Sequence, residues 1–208
     1  MSNTYYIRKK PAGSENPWAD LEPAQISNFP WDDNGYRPKA YARAYHTGEA
    51  LYVKLNAVEH KLKAVYGAMN EPVYTDSCLE FFIMPDPEND ARYMNFELNP
   101  LGTLLLGLGE ARDERLDITE EQVKTIGIST STKKTAEGRE WSVELCIPFD
   151  FLRGIFPKFE LTPNKAIRGN FYKCGDETEF PHFGCWNPIT LKDPDFHVPP
   201  FFGNLILE

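Results

Sequence analysis

Residues 140–148, EWSVELCIP, alternate apolar and polar side chains along their whole length. The apolar members of the alternation are Trp141, Val143, Leu145 and Ile147. Successive side chains of a β-strand point to opposite sides, so a period of two residues places these four on one face. The stretch therefore predicts a half-buried strand.

Three other stretches repeat this two-residue period. They are ALYVKLNA (50–57), SCLEFFIM (77–84) and RYMNFELN (92–99). Further strands are predicted at 39–47, 103–110, 123–132, 166–174 and 202–208, and FDFLRGIF (149–156) suggests a short helix. This content predicts an all-β fold, an antiparallel β-sandwich of the jelly-roll kind with an immunoglobulin-like layer architecture and one buried face on each sheet. Residues 175–201 are rich in aromatics, and we expect them to form a long ordered C-terminal loop.

The length and charge of the chain limit its organisation and its partners. A chain of 208 residues favours a single domain, which we expect over residues 16–208, with residues 1–15 pairing with or preceding the sandwich. The net charge of −9 argues against nucleic acid and anionic membrane surfaces as partners. We expect a monomer without a signal peptide, cytoplasmic as written, or periplasmic or secreted if the sequence is a mature form.

Cysteine and histidine near the C-terminus raise the question of a metal site. Cys174, His182 and Cys185 are separated by intervals that do not match the paired short spacings of zinc sites, and a fourth ligand is not evident. We therefore expect buried free cysteines, or a Cys174–Cys185 disulfide in an oxidising compartment, with His182 hydrogen-bonded in the loop.

Two glutamates permit a catalytic alternative. Glu80 and Glu97 lie on the same predicted face of strands that are expected to pair, so they could serve as the two carboxyl groups of a glycoside hydrolase. A G-x-S-x-G nucleophile motif does not occur in the sequence. A haem-binding sandwich would need axial ligands, and Met94 falls on the core face, where it would be a poor ligand.

The same polar face suits sugar recognition, which pairs aromatic planes with groups that bind hydroxyls. The candidate aromatic residues are Tyr74 and Trp186, although Trp186 could instead belong to the core. The candidate polar partners are Glu80, Arg92, Tyr93, Asn95, Glu97 and Asn187.

Several segments, in order, resemble a known family. They are YTDSCLEFFI (74–83), RYMNFELNPLG (92–102), EWSVELCIPF (140–149), RGNFYKCG (168–175), PHFGCWNPI (181–189) and FGNLIL (202–207). From about residue 16 onward, the chain resembles the family 9 carbohydrate-binding modules, and more closely their stand-alone bacterial sugar-binding relatives. The resemblance implies a jelly-roll β-sandwich that binds carbohydrate without catalysis, in support of glycan degradation or uptake.

The resemblance also implies roles for particular residues. Tyr74 and Trp186 would be the two aromatic walls around a sugar ring, and Glu80 would bind its hydroxyls. The family arginine would fall on Arg92, or the register could place Tyr93 there, and the family amide would correspond to Asn187 or to the nearby polar His182. The implied ligands are mono-, oligo- or polysaccharide ends, and no cofactor is required. Structural calcium would find oxygen ligands in PDPEND (85–90) or DPD (193–195).

Overall fold

The computed structural model describes residues 2–11 and 13–208, and these residues are mostly β-strand. Strands account for 41% and helices for 8%, which makes the fold all-β. The strands are β1 (Thr4–Lys9), β2 (Ala24–Gln25), β3 (Lys39–His46), β4 (Ala50–Glu59), β5 (Cys78–Met84), β6 (Tyr93–Leu98), β7 (Leu104–Gly109), β8 (Leu116–Asp117), β9 (Gly127–Thr135), β10 (Gly138–Pro148), β11 (Lys165–Cys174), β12 (Phe183–Cys185) and β13 (Gly203–Leu207). The α-helices are α1 (Glu120–Val123) and α2 (Phe149–Ile155), and short 3₁₀ turns lie at Val73–Thr75 and Pro199–Phe201.

One continuous path of paired strands curls into two facing layers. Its order is β8-β7-β6-β5-β11-β13-β1-β3-β4-β10-β9, with β12 paired to β11 and β2 paired to β3. Strand β1 joins the layers, because its residues 4–7 pair with β13 and its residues 8–9 pair with β3. Both of these pairings are parallel. The predicted all-β sandwich is therefore confirmed, but its strands are not all antiparallel, because β1 pairs in parallel with both of its neighbours.

The core lies between the two layers and follows the two-residue period of the sequence. The four apolar residues of the 140–148 stretch are buried in one cluster with the apolar residues of the opposite layer, such as Phe81 and Phe96. Strand β10 pairs antiparallel with β4, which places Val143 opposite Leu55. Burying one such side chain contributes about 1.5–3 kcal/mol, so this alternation provides much of the stability of the fold.

The prediction of one buried face is wrong for β5 and β6, since every residue of both strands is buried. A second apolar cluster covers their outer face. It includes Cys78, Phe82, Tyr93, Tyr172, Phe196 and Phe202. The aromatics at 196 and 202 come from the segment that follows β12, and the rings of Phe196 and Tyr172 stack with centroids 4.1 Å apart. The long C-terminal loop is thus ordered because it covers this face of the sheet.

The boundary of one strand differs from the prediction. The stretch predicted at 123–132 begins with the end of α1, and β9 starts only at Gly127. Thr119 caps α1 by accepting a hydrogen bond from the backbone N–H of Gln122, whose side chain accepts one in return from the Thr119 N–H.

In the described part of the chain, no helix is both long and apolar enough to cross a bilayer.

Candidate functional site

A cavity of about 410 Å³ opens on the outer face of β5, β6, β7 and β11. Its floor consists of side chains that the strand period turns to this face. They are Glu80, Asn95, Glu97, Leu105 and Cys174, together with Gly107. This volume is in the range of small-molecule binding sites. The cavity exists where the aromatic cover of the sheet leaves a gap.

Two carboxyl groups lie side by side in the floor. Glu80 of β5 is directly opposite Glu97 of β6 in the antiparallel register. The thiol of Cys174 donates a hydrogen bond to Oε1 of Glu80 at 2.8 Å, and the Asn95 amide donates one to Oε1 of Glu97 at 2.8 Å. Within residues 2–11 and 13–208, the second carboxyl oxygen of each glutamate accepts no hydrogen bond.

Burial changes the ionisation of both carboxyl groups. Removal from water raises the pKa of Glu80 well above its usual value, and the negative charge of Glu97 raises it further. Removal from water likewise raises the pKa of Glu97 to about 7, although the Asn95 amide and Arg115 act in the opposite direction. A protonated carboxyl donates as well as accepts hydrogen bonds, so the pair can serve both kinds of partner near neutral pH.

Two arginines from the loop after β7 line one side of the cavity, Arg112 and Arg115. The Arg115 guanidinium lies 4.3 Å from the ring centroid of Tyr93 and donates a hydrogen bond to Oδ1 of Asn95. Gly107 makes room for this contact, because a Cβ there would lie 2.9 Å from Oδ1 of Asn95 and 3.1 Å from Nε of Arg115. A glycine inside a strand here marks the close approach of another group.

The rim and the remaining wall are largely aromatic. Tyr74, in the 3₁₀ turn before β5, is 38% exposed, and its carbonyl accepts a hydrogen bond from the backbone N–H of Asp176 at 3.1 Å. Burial raises the pKa of the Asp176 carboxyl to about 6. Trp31, Phe183 and Phe196 line the cavity as well. The site thus combines carboxyl, amide and guanidinium groups with aromatic rings.

Comparison with known proteins identifies the family of this chain. The sequence profile described as Carbohydrate-binding family 9 matches residues 17–207. The chain belongs to carbohydrate-binding family 9. The resemblance seen in the sequence motifs is thereby confirmed. No curated protein matches the chain.

Solved structures agree with this family. The family 9 chain superposes with a TM-score of 0.85 on a candidate carbohydrate-binding protein from Bacteroides uniformis, at 30% identity over 100% of both chains. It also superposes, at a TM-score of 0.66, on a family 9 module from Caldicellulosiruptor kristjanssonii solved with glucose and with cellotriose. Identity to the two module structures is 13% and 12%, with coverage of 99% of this chain and 96% or 94% of theirs. These last two similarities show the shared fold.

The structure brings four of the predicted site residues of this family 9 protein together at the cavity. They are Tyr74, Glu80, Asn95 and Glu97. The other five, Arg92, Tyr93, His182, Trp186 and Asn187, do not line it. Glu80, Asn95 and Glu97 share one sheet face, so the strand period was informative for these three, whereas Tyr74 lies in the 3₁₀ turn before β5.

Arg92 points away from the cavity. Side chains at odd-numbered positions of β6 face the cavity side of the sheet. The side chain of Arg92, at the even-numbered position just before β6, therefore points to the opposite face. Its guanidinium donates to Oδ2 of Asp90 at 2.6 Å and lies 5.5 Å from the ring centroid of Phe156. The arginines at the cavity are instead Arg112 and Arg115, which come from a loop.

Trp186 belongs to the core between the two layers, which corrects its expected place as a wall of the site. It is 6% exposed, and its ring centroid lies 5.6 Å from that of Phe171 and 6.4 Å from that of Tyr5. The extended chain turns Phe183 to the cavity and Trp186, three positions later, to the opposite side. Any Cβ at Gly203 would overlap the indole, so glycine at that position makes room for it.

Tyr93 and Asn187 lie outside the cavity and bond to neighbouring segments. The Tyr93 hydroxyl hydrogen-bonds with Nδ1 of His197 at 2.9 Å, beneath the Arg115 guanidinium. The Asn187 side chain accepts from the backbone N–H of Asn3 at 2.7 Å and donates to the carbonyl of Phe201 at 2.8 Å, which ties the C-terminal loop to the residue before β1.

His182 is buried beside a lysine. Its Nε2 accepts a hydrogen bond from Nζ of Lys173 at 2.8 Å, and its Nδ1 hydrogen-bonds to the carbonyl of Phe180 at 2.7 Å. This arrangement requires the neutral ring with its proton on Nδ1. Burial and the charge of Lys173 lower the pKa of His182 to about 3, in agreement with that state. His182 therefore completes a buried polar network.

Carboxylates of the acidic loop 85–90, one of the two stretches expected to offer oxygen ligands to calcium, pair with cationic side chains. Asp86 is buried, and its carboxylate lies 3.5 Å from Nζ of Lys165, while Asp90 is paired with Arg92 at 2.6 Å. Calcium takes 6–8 oxygen ligands, so calcium binding at this loop stays a prediction.

The second stretch proposed for calcium, 193–195, has similar partners. Asp195 lies 3.9 Å from Arg112 and accepts a hydrogen bond from the backbone N–H of His197 at 2.8 Å. Within residues 2–11 and 13–208, three metal-ligating side chains come together in one place, and it is neither of these two stretches.

All four cysteines are free, so Cys174 and Cys185 do not form a disulfide.

Sequence reasoning missed several residues of the cavity. They are Trp31, Asn70, Leu105, Gly107, Arg112, Arg115, Cys174, Asp176, Phe183, Pro194, Asp195, Phe196 and His197. The strand period could have placed Leu105 and Gly107 on the face of Glu97. The remaining ones lie mostly in loops, where spacing along the chain does not predict which side chains meet.

Proposed function

We propose that this family 9 protein binds a carbohydrate in the cavity without making or breaking a bond, in support of glycan degradation or uptake. The observation that carries the proposal is the pair Glu80 and Glu97, side by side in the floor of a cavity whose rim carries Tyr74. A pyranose ring presents apolar C–H faces edged by hydroxyl groups, and such a site offers a partner for each. The complexes of the Caldicellulosiruptor kristjanssonii module with glucose and cellotriose support a sugar as the ligand.

In this proposal each wall of the cavity has its own task. The ring of Tyr74 stacks on one face of the sugar, and the aromatic wall of Trp31, Phe183 and Phe196 contacts apolar edges. Glu80, Glu97 and the two loop arginines hydrogen-bond to hydroxyl groups. A cavity favours a chain end over the middle of a polysaccharide, because its walls leave little room for residues on both sides of the bound ring.

Replacing Tyr74 with alanine tests the stacking contact. We expect the affinity for glucose or cellotriose to fall by about 10- to 100-fold, because the loss of an aromatic contact and its buried area removes roughly 1.4–2.8 kcal/mol. Isothermal titration calorimetry measures this change. Tyr6→Ala is the matched control, since Tyr6 is 56% exposed and does not line the cavity. Equal affinities of Tyr74→Ala and the wild type would refute this site.

A glycoside hydrolase is the second candidate function, because Glu80 and Glu97 are direct cross-strand neighbours and the pKa of Glu97 is raised to about 7. Directly opposite carboxyl groups suit the separation of about 5–5.5 Å in retaining enzymes, and a raised pKa suits a general acid. The binding function is favoured by membership of a carbohydrate-binding family.

Incubation with a panel of nitrophenyl glycosides separates these two functions. We expect no release of nitrophenol above the level of a Glu80→Gln, Glu97→Gln double variant, while calorimetry on the wild type still shows sugar binding. Turnover by the wild type that disappears in Glu80→Gln would establish the hydrolase and contradict the binding-only proposal.

A further inference from the structure

Two cysteines and a glutamate meet at the edge of the cavity floor. Cys78 of β5 lies directly opposite Cys174 of β11, and Glu80 follows two residues after Cys78 on the same face. All three residues are buried. The two sulfur atoms and a carboxylate oxygen lie within 4.8 Å of one another, and Sγ of Cys174 is 2.8 Å from Oε1 of Glu80. We refer to Cys78, Glu80 and Cys174 as the Cys–Glu cluster.

These distances are close to those that one metal ion requires. In a tetrahedral zinc site, metal–sulfur distances of about 2.3 Å and metal–oxygen distances of about 2.0–2.2 Å place neighbouring ligand atoms roughly 3.6–3.8 Å apart. Small side-chain rotations therefore bring the three atoms of the cluster to one ion. The sheet holds Cys78 and Cys174 directly opposite each other on neighbouring strands.

The cluster has one open side. Glu80 and Cys174 line the cavity, whereas Cys78 lies behind them in the apolar cluster with Phe82 and Tyr172. An ion held by the three side chains would thus keep its fourth position toward the cavity, as in sites with three protein ligands and an exchangeable one. Two thiolates select a borderline-soft ion over calcium or magnesium.

We propose that Cys78, Glu80 and Cys174 form a binding site for Zn²⁺ or a similar thiophilic divalent ion, with water or a solute from the cavity as the fourth ligand. Binding replaces the protons of the two thiols and of any protonated Glu80, and these protons leave to solvent through the cavity. Because Glu80 also belongs to the sugar site, the ion and the sugar share a ligand, and this consequence rests on the proposed function.

Cobalt titration of the metal-free, fully reduced protein tests the site directly, with no sugar present. Co²⁺ bound to thiolate produces charge-transfer absorption in the near ultraviolet, which reports the ligand type as well as the affinity. We expect this band to saturate at one equivalent and to disappear on addition of Zn²⁺. Cys78→Ser and Cys174→Ser should each lose the band and bind Co²⁺ at least about tenfold more weakly.

Cys185→Ser is the matched control, because Cys185 is a buried thiol of the same apolar cluster that lies outside the Cys–Glu cluster. It should keep the band unchanged. Circular dichroism of each variant establishes that it is folded, and Glu80→Gln, which keeps the side-chain shape, weakens binding while leaving both thiolates in place. Absence of the band in the wild type, or its persistence in both Cys78→Ser and Cys174→Ser, would overturn the site. Since the titration contains no sugar, failure of the sugar proposal would leave this result unchanged.

Discussion

Replacing Lys173 with alanine is expected to lower the free energy of unfolding by about 3–5 kcal/mol, measured by chemical denaturation. Lys173 is 0% exposed, and its ammonium group has three partners in the interior. They are Oε1 of Glu59 at 3.1 Å, Nε2 of His182 at 2.8 Å and the carbonyl of Cys174 at 2.6 Å. Removal of the lysine would leave the buried Glu59 carboxylate without its cation.

The surface offers a matched control for this change. Lys39 forms an ion pair with Glu137 at 2.7 Å, but both side chains are largely exposed. Lys39→Ala should therefore cost less than about 1 kcal/mol. A double variant, Lys173→Met with Glu59→Gln, removes both charges and lets the amide oxygen still accept from Nε1 of Trp141. We expect it to recover much of the lost stability. Wild-type stability in Lys173→Ala would contradict the role of the ion pair.

Trp186→Ala is expected to destabilise the protein by about 3–5 kcal/mol and to leave sugar affinity unchanged under conditions in which the variant is folded. The indole packs between the layers against Tyr5 and Phe171 and over Gly203, so its removal leaves a cavity in the core. Denaturation measures the stability, and calorimetry with glucose or cellotriose measures the affinity.

The comparison with Tyr74→Ala makes this prediction specific. Tyr74 is at the rim of the site and Trp186 is in the core, so one substitution should change affinity and the other stability. If Trp186→Ala lost sugar binding while retaining the unfolding free energy of the wild type, the placement of the indole would be contradicted.

The strand period predicted much of the fold and part of the site. Glu80, Asn95 and Glu97 face the cavity because alternation alone decides the side on which a strand residue lies. Alternation does not reveal what covers a face, so the burial of β5 and β6 on both sides was not predicted. That burial depends on the aromatic segment after β12, which is distant in sequence.

Loop residues account for most of the remaining differences. Arg92 directly precedes β6 at an even-numbered position, so its side chain points away from the cavity and pairs with Asp90. Arg115 reaches Asn95 only because the loop after β7 folds back over the sheet. Trp186 likewise follows a strand of three residues that the sequence pattern did not predict. Without that strand, the side on which the indole lies could not be assigned.

The parallel strand β1 has a consequence for the order of folding. Thr4 pairs with Asn204, and Ile7 pairs with Leu207, so the link between the two layers joins positions about 200 residues apart. Closing so long a loop costs chain entropy before any contact is gained, and folds dominated by such distant pairings form slowly. Neighbouring hairpins such as β5–β6 and β9–β10 can form early, whereas the layers become joined only when the two distant strands meet. The junction at β1 is therefore expected to be a late step of folding.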